Sequence, residues 1–134
     1  MRKIMFDYFK SIIDQDRCAV VICNLDHRII YMNPAAVINY EKYGGEALVG
    51  QNLLNCHNEK SCERIRQVVD WFSQSSDNNI IYTSHDAKRN KDIYMVALRD
   101  KEGQLIGYYE KHEYRKPEAM KRYDMKIGET EREK

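Results

Sequence analysis

The stretch "VICNLDHRIIYMNPAA", residues 21–36, decides the fold. Two runs rich in β-branched and apolar residues, 19–23 and 28–32, flank "NLDH", which supplies the turn-forming residues Asn and Asp. This pattern predicts a β-hairpin. Asn33 then stands directly before Pro34, and Asn followed by Pro is a typical start of a helix. A hairpin that runs straight into a helix is therefore predicted as the first unit of the domain.

An amphipathic helix is predicted ahead of this hairpin, within residues 1–15. Its apolar residues recur at three- and four-residue steps and form one stripe, made of Ile4, Met5, Tyr8, Phe9, Ile12 and Ile13. Such a stripe needs a covering surface, either the sheet of the same domain or a second copy of the chain.

Helical segments are also predicted in the middle of the chain. The helix that begins at Pro34 should end at Gly44 and Gly45, where a left-handed backbone is easily adopted. "EALVGQNLLNCHN" favours one or two short helical turns, broken at Gly50. A longer helix follows, because its apolar residues obey the i, i+3, i+4, i+7 pattern: Ile65, Val68, Val69 and Phe72.

The last third of the chain changes to the alternating period of strands. "IIYTSH", "DIYMVALR" and "QLIGYYEKHEY" are three strand-like runs with short turns between them, so we expect an antiparallel meander. The order of elements predicts an α+β domain, a five-stranded antiparallel sheet with short helices on one face. Both alternating sets of "IYMVAL" are apolar, so the N-terminal helix or a partner should cover the other face. Residues 115–134 are predicted to be a charged tail.

The ordered set of motifs resembles the PAS domain family over roughly residues 12–114. The residues that carry the resemblance are "VICNLDHRIIYMNPAA", "EALVGQNLL" and "YMVALRDKEGQLIGYYE", with a D-x-x-G turn in the last. The resemblance implies a PAS-like domain over 16–114 that is a sensory, non-enzymatic module. Such domains hold a small molecule, haem, flavin or nothing between sheet and helices. They commonly dimerise through an N-terminal helix, which implies an interface at Met5, Tyr8, Phe9 and Ile12.

Composition restricts the class of protein. The chain has 134 residues and a formal net charge of +1, with basic and acidic residues interspersed. This length corresponds to one domain. The interspersed charges argue against a nucleic-acid-binding protein, which would carry a clustered basic face. Its apolar runs are too short for a membrane span, and Asp7 and Lys10 interrupt any signal-like start. We therefore expect a cytoplasmic protein with reduced cysteines, a homodimer that acts on an unidentified protein effector.

The position of the ligand pocket is predicted from the PAS-like arrangement of the sheet and the helices. Its expected lining residues are His57, Tyr40, Leu54, Ile65, Val69, Tyr82, Met95 and Tyr108. His57 directly precedes the long helix, where Asn58 or Ser61 can act as the N-cap. His57 is also the candidate axial ligand if haem is the cofactor. The alternative for His57 is a structural histidine that is hydrogen-bonded at the entrance of this helix. Flavin photochemistry is less favoured, because Leu53 stands where the resembling flavin-binding domains carry their adduct-forming cysteine.

Two alternatives stay open at this point. The PAS fold could be empty and serve only for protein–protein association. Alternatively, Cys56, His57 and Cys62 could form a small thiol or metal-dependent enzyme, although their spacing is not C-x-x-C and two of these residues are adjacent. On the preferred interpretation the chain has no catalytic residue and no protein-bound metal, and the ligand's identity is left open.

Overall fold

The structure is a computed structural model that describes residues 2–124, without the side chains of Arg2 and Cys56. The helices and strands follow one another as α1 (Arg2–Gln15), β1 (Val20–Asn24), β2 (Ile29–Met32), α2 (Pro34–Asn39), α3 (Glu59–Gln74), β3 (Ile80–Asp86), β4 (Lys91–Arg99) and β5 (Leu105–Tyr114). Between α2 and α3 lie three short 3-10 turns, Glu41–Tyr43, Gly45–Leu48 and Leu53–Cys56. The predicted tail falls partly within residues 125–134, which lie outside the described residues.

The five strands form one antiparallel sheet in the order β2-β1-β5-β4-β3. β5 is the central strand, and it pairs Tyr109 with Ile22 of β1 on one side and with Val96 of β4 on the other. The predicted α+β class and the five-stranded antiparallel sheet are therefore confirmed. The pairing of β3 with β4 shifts register between Tyr82 and Ser84, which marks a bulge in that edge strand.

The predicted junction between hairpin and helix is built around Asn33, which is fully buried. Its Oδ1 accepts hydrogen bonds of 2.9 Å from the backbone N–H groups of Val20 and Ala36. The first of these bonds fixes the start of β1 and the second caps α2, with Pro34 at the first helical position. One side chain thus sets both the hairpin and the helix that follows it.

The helix after the hairpin is shorter than the sequence predicted. α2 ends at Asn39, and Tyr40 leaves helical geometry at φ −109°. The Tyr40 carbonyl then accepts from both Tyr43 and Gly45, so the chain continues as 3-10 turns. Gly44 and Gly45 have φ values of +124° and +53°, conformations that L-residues with a side chain rarely adopt. The glycines therefore turn the chain, as expected, but at the end of a 3-10 turn.

The hydrophobic core lies between the inner face of the sheet and the helical segments. Phe72 of α3 and Tyr108 of β5 are among its largest fully buried side chains. Three of the four residues in the predicted apolar stripe of α3 are buried, namely Ile65, Val68 and Phe72. This packing holds α3 across the sheet and defines the space between them.

Helix α1 contacts the rest of the domain through its C-terminal end. Asn33 Nδ2 donates to the carbonyl of Ile13 at 2.9 Å, and the Tyr31 hydroxyl donates to Asp14. Most of the predicted apolar stripe remains exposed: Ile4, Met5, Tyr8, Phe9 and Ile12. The outer face of the sheet also carries exposed apolar side chains at its β3 edge, Ile80 and Tyr82. In the described part of the chain, α1 therefore leaves most of its apolar stripe uncovered.

Within residues 2–124, none of the helices combines the length and apolar character needed to cross a bilayer.

Candidate functional site

A cavity with two lobes lies between α3, the 3-10 turns and the inner face of the sheet. The first lobe has a volume of about 190 Å³, and the second of about 140 Å³. Tyr40 and His57 line both lobes and so form the boundary between them. The remaining residues of the first lobe are Ser61, Arg64, Ile65, Val68, Thr83, Ser84, Ile93, Met95 and Glu110. Those of the second lobe are Val21, Ile29, Met32, Tyr43, Leu48 and Leu53.

The first lobe is positioned by the start of α3. Asn58 Oδ1 accepts from the backbone N–H of Ser61 at 2.8 Å, which confirms the predicted N-cap. The cap fixes the rotation of the helix, so that the helix face carrying Ser61, Ile65 and Val68 borders the cavity. Opposite it, Met95 from β4 supplies an apolar wall. The lobe therefore has mixed apolar and polar walls, as small-molecule sites have.

Glu110 is the acidic group of the first lobe. Its Oε1 accepts a hydrogen bond of 2.9 Å from the Tyr40 hydroxyl and one of 3.0 Å from His112 Nε2. Burial alone would raise the pKa of Glu110. The hydrogen bond from His112, the charge of its ring and the hydrogen bond from Tyr40 outweigh burial and lower this pKa below its ordinary value. The cavity thus contains a carboxylate that stays ionised although it is largely buried.

His57 occupies the boundary of the two lobes in an orientation set by the backbone. Its Nδ1 lies 3.1 Å from the carbonyl oxygen of Leu53. A carbonyl can only accept, so Nδ1 carries the hydrogen and, in the neutral ring, Nε2 is left as an acceptor. The structure therefore places His57 in the predicted cavity region with one ring nitrogen committed to the turn.

Of the cluster Cys56, His57 and Cys62, the structure describes the side chains of His57 and Cys62. Cys62 is buried, and its thiol donates to the carbonyl of Leu54 at 3.2 Å. This bond uses the thiol as a structural donor. Among residues 2–124, no group of three or more His, Cys, Asp or Glu side chains could hold a metal ion. The side chain of Cys56, the third member of the proposed enzyme site, lies outside the described residues.

Four of the eight predicted lining residues come together in the cavity: Tyr40, His57, Ile65 and Met95. The other four lie elsewhere. Leu54 and Val69 pack against the core beside the cavity, and their neighbours Leu53 and Val68 line it in their place. In both cases the residue that lines the cavity is one position away from the predicted one, because a sequence pattern locates a buried face more coarsely than the structure does.

Tyr82 and Tyr108 are misplaced for different reasons. Tyr82 is 56% exposed on the outer face of β3, while Thr83 and Ser84 line the first lobe. The register shift between Tyr82 and Ser84 puts two successive residues on the cavity side, which strict alternation does not allow. Tyr108 is buried below the cavity, with its hydroxyl 2.8 Å from His27 Nδ1.

The sequence analysis missed Glu110 altogether. One signal could have found it: Tyr108, Glu110 and His112 are two residues apart in a strand, so all three point to one face. Since Tyr108 was placed inside, Glu110 had to face inward as well. A charged residue at an inward position is uncommon and is therefore informative.

The comparisons with known proteins agree with this geometry. The sequence model of a family described as PAS domain matches residues 17–110. The chain belongs to the PAS domain family. Among curated proteins, none matches it.

Several solved structures resemble this PAS chain in fold. A C-terminal domain from Streptococcus mutans is 20% identical with a TM-score of 0.63, over 81% of this chain and 84% of that one. The PAS domain of a Colwellia psychrerythraea protein is 16% identical with a TM-score of 0.62, covering 82% and 96%. The Aer2 receptor of Vibrio cholerae, described as a dual PAS-heme oxygen sensor, is 16% identical with a TM-score of 0.55, covering 71% and 91%. At these identities the likeness shows the fold alone.

Proposed function

We propose that this PAS domain is a non-enzymatic sensory module that binds a small molecule in the two-lobed cavity. The observation that carries the proposal is the pair of lobes meeting at Tyr40 and His57, with the ionised Glu110 in one wall. The alternative is an empty domain used only for association, in which Glu110 would serve solely to bind Tyr40 and His112; tests of ligand binding separate the two.

The cavity's chemistry indicates the class of ligand. The second lobe is mainly aliphatic, with Ile29, Leu48 and Leu53 among its walls. The first lobe adds the Glu110 carboxylate and the hydroxyl groups of Ser61 and Thr83. Such walls suit a metabolite with a short apolar part and a hydrogen-bond-donating or cationic end. Each lobe alone is below the range of about 300 Å³ and above that is usual for drug-sized ligands, and the two together only just reach its lower end, so the ligand is small.

Haem fits this site in one respect and not in another. The bond from His57 Nδ1 to the Leu53 carbonyl is the arrangement that orients a ligating histidine. The volumes do not fit, because haem is larger than a typical drug-sized ligand, whereas the two lobes together only just reach the lower end of the range for such ligands. We therefore propose a small organic ligand and not haem or flavin. A protein purified without absorption bands above 350 nm, and unchanged by added haemin, is the expected result.

The ligand itself is tested by native mass spectrometry of the purified chain and by thermal shift against a metabolite library. Val68→Phe places a ring in the first lobe and should abolish any ligand-induced shift. Val69→Phe is the matched control, because the neighbouring residue packs on the core without lining either lobe.

The two variants make the test decisive. Loss of the shift in Val68→Phe with its retention in Val69→Phe supports the proposal. An equal shift in both variants contradicts it. Absence of any bound molecule and of any shift in the unaltered chain would favour the empty fold used for association.

We also propose that the module acts as a homodimer that passes its signal to a protein effector through α1. Phe9 and Ile12 of α1 are 55% and 70% exposed, and the outer sheet face of the same chain presents Ile80 and Tyr82. A second copy could bury both surfaces at once, and a symmetric pair would do so twice. Ligand binding would reach α1 through Asn33, which is bonded to both Ile13 and α2.

Light scattering coupled to size exclusion tests the dimer. Phe9→Glu should shift the chain toward monomer, whereas Lys3→Gln makes the same change of net charge on the opposite side of α1 and should leave the dimer intact. A chain that is monomeric without substitution, or a dimer that tolerates Phe9→Glu, would contradict this interface.

A further inference from the structure

A third pocket lies outside the two-lobed cavity, at the end of the sheet where β4 begins. It has a volume of about 240 Å³ and lies between the turn that follows α2 and the turn between β3 and β4. We call it the edge pocket, and the residues that determine its chemistry are Asn39, Lys42, Asp86, Arg89, Lys91 and His112. Tyr40 borders both this pocket and the cavity, so the two are neighbours.

Lys91 forms part of the floor of the edge pocket and is 2% exposed. Its Nζ lies 3.4 Å from Asn39 Oδ1 and 5.7 Å from the centre of the Tyr114 ring. Within residues 2–124, no carboxylate forms a salt bridge with this ammonium group. An amide oxygen at that distance is a weak partner for a buried charge, and lysine is rarely buried without a strong one. The pKa of Lys91 is accordingly lowered by burial and by the nearby Arg89.

His112 is the second incompletely satisfied group at this floor. It is 2% exposed and lines the edge pocket. Its Nε2 donates to Glu110, so that nitrogen is already used. Its Nδ1 is buried without a hydrogen-bond partner among the described residues. Because Nε2 carries the hydrogen that Glu110 accepts, Nδ1 is an acceptor in the neutral ring and a donor only in the imidazolium form, which is the form that a bound oxyanion would select.

The rim adds positive charge. Lys42 is exposed at the mouth of the pocket. The acid at the rim, Asp86, is paired with Arg89 through a bond of 3.1 Å, so its charge is locally balanced. The pocket therefore presents a buried ammonium, an exposed ammonium and an unpartnered ring nitrogen to whatever enters it.

We propose that the edge pocket is a binding site for a small oxyanion, the carboxylate or phosphate group of a metabolite. Lys91 supplies the principal charge, His112 Nδ1 the adjacent donor, and Lys42 the charge at the entrance. A bound oxyanion would complete the hydrogen bonding of Lys91 and His112, which the chain itself leaves incomplete. This site does not depend on the ligand proposed for the two-lobed cavity, because none of these three residues lines that cavity.

Calorimetric titration of the full chain with sodium phosphate and with sodium succinate, at constant ionic strength set by sodium chloride, tests the site. The central variant is Lys91→Met, which keeps most of the length of the side chain and removes its charge. It should weaken binding by about tenfold or more. Its melting temperature without anion should stay equal or rise, since replacing a poorly paired buried charge by an apolar side chain is often neutral or stabilising.

Lys88→Met is the matched control, because this exposed lysine of the same turn lies outside the pocket. The affinity of this variant for either anion should change by less than about twofold, because the charge of Lys88 acts on the pocket only from a distance and is screened by salt. If Lys91→Met does not fold, the Lys42→Gln variant decides the test. Its affinity for the anion should fall by about threefold or more, because the charge at the rim is lost.

The outcomes separate the sources of the oxyanion. Tighter binding of phosphate points to a phosphate ester, and tighter binding of succinate to a carboxylate; both support the site. The proposal is overturned if neither anion binds the unaltered chain below about 10 mM, a very weak affinity. It is equally overturned if Lys91→Met, or Lys42→Gln in its place, binds as the unaltered chain does.

Discussion

The Tyr40 hydroxyl donates a hydrogen bond of 2.9 Å to Oε1 of Glu110 and so joins the turn after α2 to the central strand of the sheet. His112 Nε2 donates to the same oxygen at 3.0 Å. The Glu110 side chain keeps 16% of its exposure, while that of His112 keeps 1%. Because Glu110 borders the first lobe and His112 borders the edge pocket, this bonded trio is the direct polar connection between the two sites.

Glu110→Gln should lower the free energy of unfolding at pH 7 by about 1–3 kcal/mol, since charge-assisted hydrogen bonds become neutral ones. The pKa of Glu110 in the folded chain lies below its ordinary value of 4.5 despite burial, because of His112 and Tyr40. A carboxyl with a lowered folded pKa stabilises the fold above its ordinary pKa, and this contribution is lost as the pH falls through the lowered value. The difference between the two proteins should therefore shrink below about pH 4.5.

Urea denaturation between pH 3 and pH 7 measures this difference. Glu102→Gln, in the exposed turn between β4 and β5, provides the control and should change stability little at any pH. A difference for Glu110→Gln that stays constant over this range would show that its charge does not contribute as described.

The sequence could predict the helices and strands that surround this site better than the side chains that line it. The hairpin with its Asn33 cap and the α3 stripe rest on local signals, namely turn residues, capping residues and helical period, and each recurs in the structure. The choice between Val68 and Val69 depends on the exact rotation of α3 over the sheet. The choice between Tyr82 and Thr83 depends on a bulge in β3. Neither the rotation of α3 nor the bulge in β3 can be inferred from the periodicity of hydrophobic residues.

The polar groups of the two sites were harder still to predict. Glu110 and Tyr40 are 70 positions apart and meet only after the sheet has formed. Lys91, which begins a strand after a charged turn, has the sequence context of an exposed residue. Its burial follows from the position of Asn39 and of the turn after α2, a tertiary arrangement without a local signal.

Asn33→Asp should destabilise the fold by about 3 kcal/mol or more, because it places a carboxylate against buried acceptors. In the native chain, Asn33 Nδ2 donates to the carbonyls of Ile13 at 2.9 Å and of Cys18 at 3.0 Å. Aspartate cannot donate these bonds. Asn58→Asp is a matched control, since Asn58 caps α3 with its oxygen alone and is exposed. It should change stability by less than about 0.5 kcal/mol, because Asp is an equally good N-cap. Equal effects of the two substitutions in urea denaturation would contradict the donor role of Asn33.

Arg99→Lys should destabilise the connection between α3 and the sheet by about 2 kcal/mol or more, because a single ammonium cannot replace the guanidinium fork. Arg99 Nη2 donates to the carbonyl of Phe72 at 2.8 Å and to that of Ser75 at 3.1 Å, which satisfies the C-terminal end of α3. Hydrogen exchange should show faster exchange in the last turn of α3, together with a lower melting temperature. Arg89→Lys, on the exposed turn between β3 and β4, should alter neither. Unchanged exchange at the end of α3 in Arg99→Lys would refute the capping role.

Cys23 should resist alkylation in the folded chain. Burial raises the pKa of its thiol to about 12, against the smaller opposing effect of a hydrogen bond with Tyr108. At pH 8 the reactive thiolate is then only about one part in 10⁴, and the side chain is 1% exposed. Iodoacetamide treatment followed by peptide mapping should leave Cys23 unmodified while the partly exposed Cys18 is labelled. In denaturant the two cysteines should react at similar rates, because the environment that separates them is lost. Labelling of Cys23 at the rate of Cys18 in the folded chain would mean that the sheet opens at β1, and it would contradict the packing of Tyr108 against this strand.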